Sequence, residues 1–407
     1  IAVANLATAQ NANTALSNLV STSINQTLKP NANNTLDLGT KNLSWKNLYL
    51  KGAIYLNGKK MWQYKTGVNT IIGEGAGGTG TGGFNTAFGT NVLSVNSTGN
   101  SNVAIGEYSL QYNTTGNNNT ATGYAALINN TTGYDNTANG FQALYNNTTG
   151  LGNTAIGKYS LFTSSVANEN TAIGSYSLYA NTSGYANTAT GSYALESNTT
   201  GFNNTATGNS ALYANTTGIN NAAFGAGALS SNSTGGFNTA SGYLSLFSNT
   251  SGFSNVAAGA LSLNLNTTGG ENTAMGAYSM QNNLTGNTNS AFGTYALQSN
   301  TAGNKNTAVG YSSLLFNTTG SNNTGLGFEA LLSNTSGISN IAVGTGALHD
   351  NINRSNLVAI GDSALFKNGV GLFPLENGVF NTAIGSKSLF SNTEGSYNTA
   401  TGYHSLQ

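Results

Sequence analysis

Apolar positions along this chain recur as a phrase, at neither helical nor long-strand spacing. An Asn-Thr-Ala-apolar-Gly stretch ends on Gly89 and returns every 17 residues to Gly361, then at Gly385 and Gly402. The one irregular step, Gly361 to Gly385, is 24 residues, and an earlier copy ending at Gly73 sits 16 before Gly89. Four residues after each of these 19 glycines stands leucine, from Leu93 to Leu406, with Met280 the single substitute. Two before stands alanine, except at Gly325, and four before stands asparagine, except at Leu357. Writing φ for the apolar position, the unit is N-T-A-φ-G-x-x-(S/A)-L-x-x-N-T-T-G-x-x.

Such a period marks a repeat architecture. Helix is excluded, because two glycines and two asparagines per unit each oppose it and no 3.6-residue stripe joins Ala to Leu. The unit instead predicts one coil of an all-β, parallel β-solenoid (β-roll) of about 20 coils. In the strand NTAφG, Ala and Gly face one way while Thr and φ face the other. The Ser-Leu segment reads as a second short strand. NTTG reads as a corner, since Asn and Gly tolerate left-handed backbone. The expected core is a stack of Leu110, Leu127, Leu144, Leu161, Leu178 and Leu212 beside Ala121, Ala155 and Ala206. Asn198, Gly201, Asn215 and Gly218 are expected to turn the corner. One buried Leu contributes about 1.5–3 kcal/mol, too little to order a coil alone, so coils must stack on one another. Asparagines in register can form amide ladders along the axis, and 20 coils at ~4.8 Å give a rod of roughly 90 Å.

The φ position is apolar in 13 of 19 copies, such as Phe88, Ile156, Phe224 and Phe292. It is polar at Thr122, Asn139, Thr190, Thr207, Ser241 and Thr401. With so thin a core, this mixture suits an inter-chain surface better than a closed monomer core. The chain's expected partner is itself, as a parallel homotrimer.

Residues 1–28 lack the repeat, and Leu6, Ala9, Asn13, Leu16 and Val20 follow the 3-4 spacing of a short coiled coil or linker. Residues 29–66 carry strand-like alternation at Leu48/Leu50 and Ile54/Leu56, with a hairpin signal at Asn57-Gly58. Seven of the chain's 12 basic residues lie between Lys29 and Lys65, as a solvated collar. Residues 67–83 read as a glycine-rich neck and first coil, and 84–407 as the solenoid shaft.

Charge changes the picture by exclusion. Only 6% of the 407 residues are charged and the net charge is zero, so neither nucleic acid nor an anionic membrane has a basic patch to meet. Without cysteine there are no disulfides or thiolate sites. No run approaches the ~18 apolar residues of a membrane span. The chain starts at Ile1 without a signal peptide and stops within a repeat, so it reads as a piece of something longer.

Candidate chemistry is sparse. GEGAGGTGTGG, Gly73 to Gly83, lacks the GK[ST] ending of a phosphate loop and reads as a flexible neck. His349 and His404 have no partners at ligand or triad spacing, and Glu107, Glu169 and Glu329 sit at variable positions. No catalytic, cofactor or metal site is therefore expected, and calcium-binding rolls would need more than the four Asp present. The corner matches N-x-(S/T) at Asn113, Asn130, Asn147, Asn215 and Asn266, but turn chemistry alone demands those residues. Ranks of Thr suggest ice-binding solenoids, against which bulky φ residues share the Thr side. A polysaccharide-cleaving fibre would need paired carboxylates in a groove. The repeat breaks where NINR replaces NTTG at Asn351, Arg354 standing for the glycine. Seven extra residues then appear near 369–375, where Leu372, Phe373, Pro374 and Leu375 form a candidate interaction loop.

DLGTKNLSWKNLYLKGAIYLNG, from Asp37, resembles a phrase common in phage tail fibres and related tail-fibre-domain proteins. The NTAφG…SL…NTTG array is similar to shafts in those proteins and to the β-roll heads of trimeric autotransporter adhesins. The resemblance implies trimers, exposure outside the cell or on a virion, and attachment to a cell-surface glycan or protein receptor. The leading expectation is a fibre shaft that projects an attachment tip; a bacterial surface adhesin is the alternative, and an ice-binding solenoid a further one.

Overall fold

The computed structural model describes residues 53–56, 59–65, 69–369 and 377–407. The expected coiled coil over 1–28, most of the tail-fibre-like segment, and Leu372, Phe373, Pro374 and Leu375 lie outside the described residues.

The fold is an all-β parallel β-solenoid of about 19 turns with a 17-residue repeat, and no helix occurs among the described residues. Two antiparallel strands, β1 (Ala53–Leu56) and β2 (Lys59–Lys65), pair with Leu56 opposite Lys59, flanking the Asn-Gly signal. β2 pairs antiparallel with β3 (Asn69–Ile72). From β3 every strand pairs parallel with the next, through β4 (Thr86–Phe88) to β22 (Thr399–Thr401), each of β4–β22 three residues long. The register holds across the 24-residue step, where Val358, Ala359 and Ile360 face Thr382, Ala383 and Ile384. Gly369 N donates to Thr393 O and Gly378 N to Glu394 O on either side of residues 370–376.

One coil, from Asn187 to Asn203, shows why this sequence closes. Asn187, Ala189, Ala194, Leu195 and Asn198 point inward and are fully buried, while Thr188 and Thr190 point out. Alternation along the strand therefore runs as expected, with the leading asparagine joining Ala on the inside. Leu110, Leu127, Leu144, Leu161, Leu178 and Leu212, with Ala121, Ala155 and Ala206, all lie in this core. Within the one chain these inward side chains are already fully buried. The missing apolar volume is supplied by two asparagines per coil whose amides satisfy each other.

These amides form two ladders. In the first, Asn204 N and Nδ2 donate to Asn187 Oδ1 at 3.0 and 3.1 Å, and Nδ2 also donates to Gly218 O at 2.9 Å. In the second, Asn198 Nδ2 donates to Asn181 Oδ1 at 2.7 Å and to Gly201 O at 3.0 Å. Asn215 Nδ2 continues it to Asn198 Oδ1 and Gly218 O, so both ladders meet on the corner carbonyl. A buried amide left unpaired costs about 1–3 kcal/mol, so in-register repetition is what makes a polar core tolerable.

Two local expectations are corrected. The Ser-Leu segment is a pair of turns: Ala194 N donates to Gly191 O and Asn198 N to Leu195 O, with left-handed φ at Tyr193 (+60°) and Leu195 (+52°). All 19 core positions from Leu93 to Leu406 have φ between +48° and +54°. The chain must reverse within six residues, and throwing Leu inward from a turn does so while Leu195 N still bonds Ala211 O of the next coil. The NTTG glycine is not left-handed; that role falls two residues later, at Asn203 (+55°) and Asn220 (+54°). Glycine is required there by space. A Cβ on Gly218 would lie 2.3 Å from Asn215 Oδ1 and 2.5 Å from Gly235 O.

The glycine-rich stretch is the first coil. Gly77 N and Gly78 N donate to Val92 O and Leu93 O. Gly77 occupies the Leu position and Ile71 the Ala position, and a Cβ on Gly77 would lie 2.2 Å from Ile71 Cδ1. The core side chain is here supplied from the strand rather than the turn.

Candidate interaction surfaces

With the interior filled by Leu, Ala and amides, what the rod can do lies on its walls and at its interruptions. The strand wall is the broader of the two. Its outward residues form a Thr row and a φ row two strand positions apart, exposing Phe88, Ile156, Phe224, Met275, Phe292, Leu326 and Ile360. From β14 (Val256–Ala258) through β21 (Thr382–Ile384) the φ row is apolar without a break. No outward strand position from β4 to β22 carries a charge. Thr-Ala-Thr occurs at Thr120–Thr122, at the adjacent Thr188–Thr190 and Thr205–Thr207, and at Thr399–Thr401, with coils carrying Ile, Phe, Met or Leu between these places. That is not the continuous Thr lattice an ice-facing surface requires.

Aromatic side chains climb the turn wall. Tyr108, Tyr124, Phe141, Tyr159, Tyr176 and Tyr193 form a continuous run with centroids 5.2–5.9 Å apart. Tyr145, Phe162 and Tyr179 make a second row beside it, stacked at 5.1 and 5.3 Å. The +1, +2 and +5 positions spaced by one coil bring these rings together, a signal present in the 17-residue register but hidden by the shift between +1 and +2 and the mixture of ring types. Where the rings stack, their faces cover one another, so the wall presents mainly ring edges. Each such pair is worth about 0.5–1.5 kcal/mol beyond burial, which makes the run a brace for neighbouring coils.

Titratable groups meet at one place. His349 Nδ1 lies 2.6 Å from Asp350 Oδ1 and Nε2 3.5 Å from Glu329 Oε2, with its ring stacked 4.6 Å from Phe366. These partners come from the preceding coil and the adjacent residue, which linear spacing concealed. His404 lies against Tyr403 and Gln407, and Glu107 and Glu169 stand apart from these. Among the described residues no group of three metal-ligating side chains converges.

The corner carries the interruptions. Asn198, Gly201, Asn215 and Gly218 are buried there. Asn113, Asn130, Asn147, Asn215 and Asn266 are likewise fully buried, so their N-x-(S/T) matches offer no accessible amide in the folded rod. In one coil Ser164 and Ala167 replace Asn and Gly, and Ser164 Oγ and Asn147 Oδ1 are buried without partners. In another, Arg354 replaces the glycine yet its carbonyl still accepts from Asn340 Nδ2 and Asn351 Nδ2. Its buried stem lies against Gly369, where a Cβ would stand 2.6 Å from Arg354 Cγ. Leu357 fills the first amide ladder's position at the start of the next coil, so these two departures stand in consecutive coils.

No helix among the described residues is long and apolar enough to cross a membrane. No protein-family model, curated protein or solved structure matches this chain, and what can be said of it rests on the β-solenoid itself.

Proposed function

We propose that the chain is the shaft of an extracellular or virion fibre, a tail-fibre-like rod that assembles with copies of itself and holds an attachment tip away from its base. The observation that carries this reading is the unbroken parallel ladder from β3 to β22. Coil after coil repeats the same five inward residues, and what such repetition builds is length. At ~4.8 Å per strand the ladder extends about 90 Å. A glycan or protein receptor on a cell surface would be met by the tip, and a bacterial surface adhesin would use the same physics.

The shaft reading is tested by excising residues 192–208, one coil, from a displayed fibre. Contour length should fall by about 5 Å and attachment per fibre should persist. Loss of attachment on removing single coils along the mid-rod would show that the rod itself is the receptor-binding element, and the spacer reading would fail. Light scattering at micromolar concentration should return three times the chain mass.

A further inference from the structure

We infer that the outward strand wall from β4 to β22 is where copies of this chain meet, parallel and in register. The inference rests on the self-assembling shaft proposed above and identifies the surface that does the assembling.

The first argument is charge. In a parallel, in-register assembly around a symmetry axis, each residue on the shared wall faces its own copies. A charged residue there would face like charges across a dry interface, at a cost of several kcal/mol. The two outward rows hold Thr, Ser, Asn and apolar residues only, from Thr86 and Phe88 to Thr399 and Thr401. Charged residues of the solenoid, including Glu107, Lys158, Glu271 and Lys305, lie off this wall. Thr against Thr and Ile against Ile are tolerable self-contacts, as Glu against Glu is not.

The second argument is area. Nineteen strands at ~4.8 Å, each with a face ~10 Å wide, present about 900 Å² per chain. The apolar stretch β14–β21 alone presents about 400 Å², against the roughly 800 Å² per partner that a stable interface requires. Antiparallel rods overlapping end to end would bury the same wall but set the apolar stretch of each against the mixed stretch of the other. Parallel rods bury the whole wall with apolar against apolar and Thr against Thr, so area and composition together favour the parallel arrangement.

The third argument is what competes. The turn wall also exposes rings, but charges such as Glu107 and Lys158 lie among them, and identical copies meeting there would set like charges together. An open face on an all-parallel sheet is unusual, since such sheets are ordinarily covered on both sides.

The chain lacks cysteine, so single-cysteine variants label cleanly. Spin labels at Thr120→Cys and, separately, Thr382→Cys should each report same-site distances within about 25 Å, given ~10 Å between packed sheets. Antiparallel rods would bring neither end near itself. A label at Tyr213→Cys on the turn wall should report longer distances. Ile156→Lys and Phe292→Lys should each weaken assembly at least ten-fold with unchanged far-ultraviolet dichroism, because both side chains point out of the core. Tyr213→Lys should assemble as the parent does. An oligomer whose Thr120 and Thr382 labels are far apart, or lysine variants that assemble normally, would overturn the assigned wall while leaving the shaft intact. A monomeric parent would overturn both the wall and self-assembly, and the coil-excision test would still judge the spacer.

Discussion

Replacing Ser164 by Asn should be harmful alone and stabilising when Ala167 is also replaced by Gly. Every ordinary NTTG corner places the asparagine Oδ1 2.3–2.5 Å from where a Cβ on the corner glycine would stand. Ala167 can therefore exist only because Ser164 withdraws that oxygen. The exchange leaves Asn147 Oδ1 and Ser164 Oγ buried and unpaired, at about 1–3 kcal/mol each. Ser164→Asn with Ala167 retained forces overlap and should destabilise by about 1–3 kcal/mol. Ala167→Gly alone should cost about 0.5–1 kcal/mol in backbone entropy. Together they rebuild the rung from Asn147 to Asn181, for a net gain of about 2 kcal/mol after the glycine cost. A solenoid this long need not melt in one step, so the readout is native-state hydrogen exchange over residues 147–185. The double variant should exchange about thirty-fold more slowly there, with coils beyond residue 250 unchanged. If Ser164→Asn stabilises by itself, or the two effects simply add, the corner has more room than its geometry indicates and the steric argument fails.

Leu212→Asp should place an unpaired charge between stacked coils and open the rod locally by more than about 3 kcal/mol, read as protease cleavage between residues 195 and 230. Asn215→Ala removes a donor to both Asn198 Oδ1 and Gly218 O and should cost about 2–4 kcal/mol, visible as faster exchange in the two adjoining coils. Deleting residues 370–376 should restore a 17-residue step and leave folding intact; a rod that no longer assembles would show that the extra residues are integral to their coil.

Much of this fold was legible because the strand phrase carries its own register. Ala121 and Thr122 announce opposite faces by alternation alone, and the return of the phrase at Gly385 announced that the register resumes after the 24-residue step. The turn wall was not legible. Leucine prefers negative φ, so nothing local marks Leu110 or Leu127 as left-handed residues; only the demand to reverse direction while keeping Leu inside imposes it. The corner misled for a related reason. Glycine serves both left-handed backbone and close approach, and sequence does not separate them, whereas Gly201 stands where a Cβ would strike Asn198 Oδ1 at 2.4 Å. The pairing of Ser164 with Ala167 was visible as two departures, but their dependence on each other needed the distance between them.

The left-handed leucines also bear on how the chain acquires its structure. With Leu195, Tyr193 and Asn203 all at positive φ, a coil opposes its own formation by about 3–6 kcal/mol before any neighbour is present. Nucleation of an isolated coil is then strongly disfavoured, while addition to an existing edge is rewarded by ladders, Leu stacking and strand pairing at once. Repeat arrays ordinarily start anywhere, but among the described residues local chemistry favours a start at the β1–β2 hairpin, which hands its edge to β3. We expect growth by templating from that end, one coil at a time, in the direction in which the chain is synthesised. Pulse-labelled exchange during refolding should then protect the Ala87 coil before the Ala383 coil. Protection appearing in the reverse order would place the nucleus elsewhere.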